Sequence, residues 1–331
     1  MKLSIIIPYY NGEQYIKDVL DDLLEQDFEQ DDFEIIIVDD GSTHQTETID
    51  LYCKRYSRIS CYKQVNQGVS AARNTGISHA KGEYIFFCDC DDRVRRNVIG
   101  YLYAVASMNH LDMLFFDHQT TMEKITSPQN IGELEKILTG IDYYAQNPDM
   151  RMECWRFLIK KAFVEKYHLS FPEHIIYHED VVFLVNALLV AVRVSHINCV
   201  LYYYLQRPQS AIHYSAKILK ASKVADNRMW IIGELLNVLS QHSELPCRNS
   251  LLQRVRMLSF QMLHHSFRYL SVRRNKELIF QLRQLGAYPF DEGRYISKAL
   301  HITYVLMQIY PLWMACCFFY HILPLRIRER Y

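Results

Sequence analysis

The 331-residue sequence lacks an excess of either charge, since lysine plus arginine and aspartate plus glutamate each number 37. A protein that coats nucleic acid needs a large basic excess, so this balance argues against nucleic acid as a partner. The sequence also lacks a C-x-x-C pair, which excludes a zinc ribbon and a thioredoxin-type motif. Its nine cysteines are odd in number and mostly scattered, as expected of a chain kept in a reducing compartment.

Glycine-rich phosphate-binding loops are absent as well. Neither G-x-x-x-x-G-K-[ST] nor G-x-G-x-x-G occurs, so the ATPase and dinucleotide-binding classes lose their main support. The N-terminal apolar run is too short for a secretory signal, and no cleavage site follows it. We therefore expect a cytoplasmic protein.

The first 120 residues alternate short apolar runs with amphipathic helical patterns. Isoleucine-rich runs at 3–7 and 33–39 lack polar alternation, as buried parallel strands require. Further strands are predicted at 59–63, 84–88 and 112–116, with helices at 11–26, where Asn11 is the predicted N-cap, and at 46–56, 67–80 and 94–108. This alternation predicts an α/β fold built on a doubly wound, Rossmann-type sheet with helices on both faces.

The pattern changes after about residue 119. Mixed elements follow: strands at 154–159 and 200–205, and helices from Lys161 and over 181–191. Residues 217 to about 310 carry long amphipathic runs and read as helical. The sequence thus predicts four segments, at 1–118, 119–215, 216–300 and 301–331.

The last segment combines apolar and basic residues. Residues 302–325 are mostly apolar and are followed directly by RIRER, but Gln308, Pro311 and His321 make a poor transmembrane helix. A broken amphipathic element in the bilayer interface, with its basic end toward anionic lipid, fits this pattern. The segment predicts peripheral membrane contact, and a hydrophobic helix packed on the protein body is the alternative.

Carboxylates follow the ends of two predicted strands. Asp39 and Asp40 follow the second strand, and Asp89, Asp91 and Asp92 follow the strand at 84–88. Ligands of open α/β sheets bind at the carboxyl ends of the strands, and like charges gathered there need a cation among them. Mg²⁺ or Mn²⁺ binds through one or two carboxylates plus substrate phosphates. The alternative is that each aspartate serves a solvated turn.

Two further segments carry candidate site residues. In NQGVSAARNTG (66–76) small residues let a helix start approach a ligand, and Arg73 pairs either with a phosphate or with the acidic crevice. In HED (178–180) Asp180 lies at the start of a predicted helix, where the helix dipole favours an anion. Capping alone would account for Asp180, and a catalytic carboxylate is the other interpretation.

Four segments together resemble the family 2 glycosyltransferases, which share the GT-A fold. They are SIIIPYYNGEQYI, EIIIVDDGSTHQT, NQGVSAARNTGISHAKGEYIFFCDCDD and FPEHIIYHEDVVF. They span about residues 1–210 in the order and spacing of that family. The resemblance implies that 1–118 binds a nucleotide sugar, that 119–215 binds the acceptor and that 216–300 is a helical extension.

The resemblance also implies roles for individual residues. The D-x-D motif falls on Asp89-Cys90-Asp91, with Cys90 where the family usually has serine. Asp91 would bind Mn²⁺ or Mg²⁺ bridging the diphosphate, Asp89 would face the ribose or the donor sugar, and Asp92 receives no role. The residues expected to hold the rest of the donor are Pro8, Tyr10, Asn11, Glu13, Asp39, Asp40, Asn66, Gly68 and Arg73.

The reaction expected from the resemblance is an inverting transfer with Asp180 as general base. The Q-x-x-R-W motif of processive members is absent, and Arg207 and His213 are candidates for diphosphate contacts. We expect a UDP-sugar donor and a saccharide or lipid-linked acceptor, at the inner face of the cell membrane, in surface polysaccharide synthesis. The alternatives are a sugar-phosphate nucleotidyltransferase, whose glycine-rich loop is missing, and a non-catalytic binding protein of the same fold.

Overall fold

The computed structural model describes residues 1–29, 31–44, 46–120, 131–205, 218–289 and 312–317. The chain divides into two compact units. The first consists of Met1–Tyr143 and Arg151–Arg207, and the second of Tyr144–Met150 and Pro208–Tyr331.

The first unit begins with alternating strands and helices, as the sequence predicts. They are β1 (Leu3–Tyr9), α1 (Glu13–Leu24), β2 (Phe33–Asp39), α2 (Glu47–Arg55), β3 (Ile59–Lys63), α3 (Val69–His79) and β4 (Tyr84–Phe87). The four strands pair in parallel in the order β3-β2-β1-β4. Every residue of β1 and β2 is buried, which explains why these strands are continuous apolar runs.

The remainder of the first unit is mixed. Its elements are β5 (Arg93–Val94), α4 (Ile99–Met108), β6 (Met113–Gln119), the first part of α5 (Gly140–Gln146), a 3₁₀ turn (Cys154–Arg156), β7 (Phe157–Lys160), α6 (Lys161–Lys166), α7 (Glu179–Val190) and β8 (Val194–Tyr203). Strand β7 runs antiparallel to both β4 and β6. The complete sheet has eight strands in the order β3-β2-β1-β4-β7-β6-β8-β5, so the predicted Rossmann-type half and mixed half are confirmed.

Three predicted boundaries are corrected by the structure. Cys154–Arg156 form a 3₁₀ turn, so the strand predicted at 154–159 begins only at Phe157. Helix α4 begins at Ile99, because Arg93–Val94 pair antiparallel with the end of β8. Strand β8 begins at Val194, six residues before its predicted start.

Helix α3 lies directly against β1. A Cβ added at Gly76 would come within 2.3 Å of Ile6 Cγ2, so a side chain at this position would push the helix away from the sheet. The small residues Ala71 and Ala72 are also buried. This close packing fixes Arg73, one turn before Gly76, relative to the carboxyl ends of the strands.

The second unit is helical, as predicted for this part of the chain. Its helices are α8 (Ile218–Gln241), α9 (Arg248–Tyr269) and α10 (Val272–Gln284). Ser250 accepts a hydrogen bond from Tyr144 Oη through its carbonyl and donates its Oγ–H to the Tyr144 carbonyl, which ties residues 144–150 to α9. Helical structure predicted between 290 and 310 lies outside the described residues.

A short helix at 312–317 belongs to the hydrophobic C-terminal segment. Trp313 is buried in the second unit, with its ring 4.8 Å from that of Phe267, and Cys317 is buried too. For these six residues the packed-helix alternative therefore applies, and the rest of 301–331 lies outside the described residues. Among the residues that the structure describes, no helix is long and apolar enough to cross a membrane.

Candidate active site

Asn11 joins the loops that follow β1 and β2. Its backbone has a positive φ of 51°, and its N–H donates to Ser42 Oγ at 3.0 Å. Its side-chain Oδ1 accepts from the N–H groups of Thr43 and His44 at 2.9 and 3.2 Å. Tyr10 beside it remains 50% exposed. These two predicted donor-site residues therefore lie together at the rim of the sheet edge.

Asp39 and Asp40 are both buried, but their carboxylates serve different loops. Asp39 accepts from Ser42 N–H at 2.9 Å. Asp40 accepts from Gln64 Nε2 and Gln67 N–H at 2.9 Å each, and from Gly68 N–H at 2.7 Å. Asp40 thus shapes the loop that enters α3, where Gly68 has a φ of 94° that favours glycine. Asn66, in the same loop, is exposed.

Two other predicted donor-site residues are engaged within the protein. Glu13 accepts from Tyr9 Oη at 3.2 Å and from Thr48 N–H, in the first turn of α2, at 2.9 Å. Pro8 is buried within β1 and pairs with Val38. Their predicted contact with a nucleoside stays a prediction, and their hydrogen bonds and packing give each a structural role as well.

Asp92, which has no role in the sequence-based expectation, anchors the D-x-D loop to the end of β8. Its Oδ2 accepts from Tyr202 Oη at 2.7 Å and its Oδ1 from Leu205 N–H at 2.9 Å. Tyr202 Oη in turn accepts from Asp89 N–H at 3.0 Å. Burial, together with the charges of Asp89 and Asp91, raises the pKa of Asp92 to about 8. Tyr202 was not predicted as a site residue, because a tyrosine within a strand is typical of the apolar core.

Arg73 is the centre of the site. It is buried, with its guanidinium 5.3 Å from the Phe171 ring, and pairs with three carboxylates. Its Nη1 donates to Glu179 Oε1 at 2.7 Å and to Asp180 Oδ1 at 2.9 Å, and its Nη2 donates to Asp89 Oδ1 at 3.1 Å. The structure therefore brings the D-x-D motif and the HED motif together through one side chain. Arg73 thus pairs with the acidic crevice, and its contact with a donor phosphate stays a prediction.

Asp180 combines burial with hydrogen bonds that hold its orientation. Its Oδ2 accepts from Cys154 N–H at 3.3 Å, while Oδ1 faces Arg73. Burial raises the pKa of Asp180 to about 7 against the opposing charge of Arg73, and Glu179 and Asp89 raise it further. Burial also raises the pKa of Glu179. A carboxylate with a pKa near 7 is suited to accept a proton at physiological pH.

Sequence reasoning missed Glu179 and Cys154 as parts of this site. Glu179 is adjacent to Asp180 in HED, which is a usable signal for a second partner of Arg73. Cys154 contributes only its backbone N–H, so no side-chain pattern marks it.

A divalent cation would find oxygen ligands at the D-x-D loop. The described residues contain no group of three or more His, Cys, Asp or Glu side chains that could hold a metal ion by themselves. Asp92 is bound to Tyr202 and Leu205, and one Asp89 oxygen faces Arg73. Asp91, the last aspartate of the D-x-D motif, stays the predicted metal ligand. This donor set fits Mg²⁺ or Mn²⁺, which take one or two carboxylates and fill their remaining positions with phosphate oxygens and water.

A parallel Rossmann-type half joined to a mixed half, with carboxylates at the strand ends, defines a GT-A fold. Residues 4–165 match the family model described as glycosyl transferase family 2. The chain belongs to the family 2 glycosyltransferases, which confirms the resemblance drawn from its motifs.

Curated relatives carry glycosyltransferase names. The chain is 35% identical over 217 residues to the uncharacterized glycosyltransferase EpsJ of Bacillus subtilis, covering 63% of this chain and 62% of that one. It is 33% identical over 216 residues to a poly(ribitol-phosphate) beta-glucosyltransferase of Bacillus spizizenii, covering 62% of this chain and 32% of the relative. The matches thus span less than two thirds of the length of either relative.

Solved structures share the fold. Staphylococcus aureus TarS 1–349 in complex with UDP-GlcNAc superposes with a TM-score of 0.57 at 23% identity. The superposition covers 88% of this chain and 94% of that one. At this identity the likeness extends to the architecture alone.

Proposed function

We propose that this chain transfers a sugar from a nucleotide-diphosphate donor to a saccharide or lipid-linked acceptor, with inversion at the anomeric carbon. The observation that carries the proposal is the ion-pair cluster in which Arg73 joins Asp89 of the D-x-D motif to the buried Asp180. A UDP-sugar is the donor best supported, because TarS, which shares the fold, has been solved with UDP-GlcNAc.

In the proposed reaction Asp180 is the general base. The acceptor hydroxyl oxygen forms a bond to the anomeric carbon while the bond from that carbon to the nucleoside diphosphate breaks on the opposite face. The hydroxyl proton passes to Asp180, and the electron pair of the broken bond leaves with the diphosphate. The Cys154 N–H orients one carboxylate oxygen. Arg73 opposes the effect of burial on the pKa of Asp180, so that a fraction of the carboxylate is ionised at neutral pH.

The remaining residues would bind and orient the donor. Tyr10 and Asn11 at the rim, with Asp39 beneath them, are proposed to contact the nucleoside, and Asp89 to contact the ribose or the donor sugar. Asp91 would hold Mn²⁺ or Mg²⁺, which neutralises the negative charge that develops on the diphosphate. Asp92 supports this arrangement by fixing the loop, without contacting the substrate.

A donor screen tests the proposed function. Purified protein is incubated with UDP- and other nucleotide sugars and Mn²⁺ or Mg²⁺, and release of the nucleoside diphosphate is measured. We expect hydrolysis of at least one UDP-sugar, its loss with EDTA, and a decrease of at least about 100-fold in Asp91→Ala, since removing charge stabilisation of the leaving group costs several kcal/mol. Asp31→Ala, in an exposed turn, is the control. Full metal-dependent activity in Asp91→Ala would disprove the assigned metal ligand.

We further propose that the chain works at the inner face of the cell membrane through its basic C-terminal residues. Arg326, Arg328 and Arg330 follow the hydrophobic segment, and each arginine near an anionic surface contributes about 1 kcal/mol. Replacing all three by glutamine is expected to weaken binding to phosphatidylserine-containing vesicles on the order of 100-fold in a sedimentation assay.

A charge-matched control distinguishes this contact from a general effect of net charge. Replacing the exposed arginines Arg55, Arg193 and Arg273 by glutamine removes the same charge elsewhere and is expected to leave vesicle binding unchanged. Equal losses in the two triple variants, or no loss in either, would refute the proposed contact.

A further inference from the structure

A second set of ionisable side chains lies in the first unit, apart from the carboxylate crevice. It consists of His118 at the end of β6, Arg151 and Glu153 before the 3₁₀ turn, and Arg156 at the last residue of that turn. We refer to these four residues as the basic cluster. Neither the D-x-D motif nor the HED motif includes any of them.

Arg151 connects two members of the basic cluster. Its Nη2 lies 2.6 Å from Glu153 Oε1, and its Nη1 lies 3.2 Å from His118 Nε2. Because a guanidinium only donates, His118 Nε2 must accept, and the neutral ring therefore carries its proton on Nδ1. Burial lowers the pKa of His118, and the charges of Arg156 and Arg151 lower it further, which keeps the ring neutral.

Arg156 forms no salt bridge with any of the residues that the structure describes. Its Nε is buried and, within the described part of the chain, has no hydrogen-bond partner. Burial lowers its pKa more than the nearby Glu153 raises it. Asp117, another carboxylate that acts on Arg156, is 3.1 Å from His196 Nε2 and pairs with that ring. Among the described residues Arg151 pairs with Glu153 at salt-bridge distance, whereas Glu153 and Asp117 act on Arg156 only through their charges.

The basic cluster is adjacent in the chain to the residue that binds the proposed base. Cys154, which donates its N–H to Asp180, stands between Glu153 and Trp155 in the chain. The Trp155 ring stacks on Tyr202 at 4.4 Å, and the His118 ring packs against Trp155 at 5.1 Å. The basic cluster therefore shares a short turn with the partner of Asp180, whereas the predicted nucleoside-binding residues lie on the loops after β1 and β2.

We propose that the basic cluster binds a phosphate group of the acceptor, so that the acceptor of this enzyme is anionic. This inference rests on the proposed function. Two arginines and an imidazole N–H present several donors to phosphate oxygens, and the planar guanidinium suits them in pairs. A phosphate would also give Arg156 a partner at ion-pair distance, which a neutral saccharide would not. Two acceptor types share this chemistry: a polyol-phosphate chain and a lipid-linked saccharide diphosphate.

Calorimetric titration of the full chain with inorganic phosphate, in EDTA to suppress metal-bound phosphate, tests the proposal. Arg151→Gln combined with Arg156→Gln is expected to weaken phosphate binding at least tenfold, and Arg156→Lys by a smaller factor. Arg55→Gln, at the exposed end of α2, is the matched control and should bind as the unaltered chain does. Equal affinity in the double variant, or equal loss in Arg55→Gln, overturns the proposal.

One further measurement distinguishes a polyol-phosphate acceptor from a lipid-linked diphosphate acceptor. A second distinguishes failure of this proposal from failure of the proposed function. A glycerol-phosphate oligomer and farnesyl diphosphate are titrated in parallel, and the tighter binder identifies the source, whereas failure of both to bind overturns the inference. Metal-dependent hydrolysis of the donor by water needs no acceptor, so the folded double variant should retain it within twofold. If the unaltered chain hydrolyses no nucleotide sugar, the proposed function fails. The phosphate titration still shows whether the basic cluster binds phosphate.

Discussion

Replacing Asp180 by asparagine is expected to lower the rate of sugar transfer by about 10²–10⁴-fold, the range that a positioned general base contributes. Asparagine keeps the size of the side chain and can still accept hydrogen bonds through its oxygen. It cannot take the proton of the acceptor hydroxyl. Donor binding, measured by titration with UDP, should change little, because the carboxylate faces Arg73 and Cys154.

The pH profile gives the same prediction a second readout. Since the pKa of Asp180 is about 7, transfer by the unaltered enzyme should rise as pH increases through 7 and the carboxylate ionises. The residual activity of Asp180→Asn should lack this rise. Glu179→Gln should shift the midpoint to lower pH, because Glu179 raises the pKa of Asp180. Retention of more than a tenth of the activity at pH 8 in Asp180→Asn would exclude Asp180 as the base.

The raised pKa of Asp180 also has a consequence for stability. The folded state binds this proton more tightly than the unfolded chain, whose aspartate titrates near 3.8. The resulting stabilisation is fully present below pH 3.8 and is lost as pH rises through about 7. The free energy of unfolding, measured by urea denaturation at several pH values, should therefore fall between pH 3.8 and about 7. This fall should be absent in Asp180→Asn.

Replacing Arg73 by glutamine is expected to lower the free energy of unfolding by about 3–5 kcal/mol at pH 7, the cost of removing one partner from a buried ion pair. The change leaves Asp89, Glu179 and Asp180 without their shared cation. Sugar transfer at pH 7 should also fall at least about tenfold, because loss of the guanidinium raises the pKa of Asp180 above its working range. Urea denaturation and the pH profile of the rate measure the two effects.

Arg58 supplies a matched control for Arg73. It is also partly buried and lies over an aromatic ring, 4.6 Å from the centroid of Phe33, but it has no ion pair to a carboxylate among the described residues. Arg58→Gln should therefore cost no more than about 2 kcal/mol and leave the pH profile unchanged. At pH 5 Asp180 is protonated, so the difference in free energy of unfolding between Arg73→Gln and the unaltered chain should be smaller than at pH 7. The role given to Arg73 would be contradicted if the loss of unfolding free energy in Arg73→Gln did not change with pH, or if it were no larger than the loss in Arg58→Gln.

Local patterns were sufficient to predict the parallel half of the sheet. The unbroken isoleucine runs of β1 and β2 can only be buried on both faces, and the sequence places their polar ends at one edge. The antiparallel direction of β7 was not predictable, because a short apolar strand looks the same in either direction. The early start of β8 was missed for a related reason: its first residues include exposed Asn198 and partly exposed His196, which do not read as strand.

The candidate site also has a part that the sequence predicts and a part that it does not. The carboxylates of D-x-D and HED were predicted because ionisable side chains stand out in a sequence. Hydrogen-bond partners that are backbone groups were not predictable from side-chain patterns. Examples are the Cys154 N–H that donates to Asp180 and the Gly68 N–H that donates to Asp40. The bond from the Thr48 N–H to Glu13 belongs to the same class, since a helix N–H carries no residue-specific signal.

The way Arg73 gathers its carboxylates also bears on how the protein folds. Its partners Glu179 and Asp180 lie 106 and 107 residues away along the chain, whereas Asp89 is only 16 residues away. Contacts between distant segments carry the largest loop-closure cost and slow folding. We therefore expect the parallel strands to associate first and the charged cluster to close late. A nascent chain that ends before residue 179 would contain the complete D-x-D motif. In that chain Arg73 would have only one of its three carboxylate partners, because Glu179 and Asp180 would not yet be synthesised.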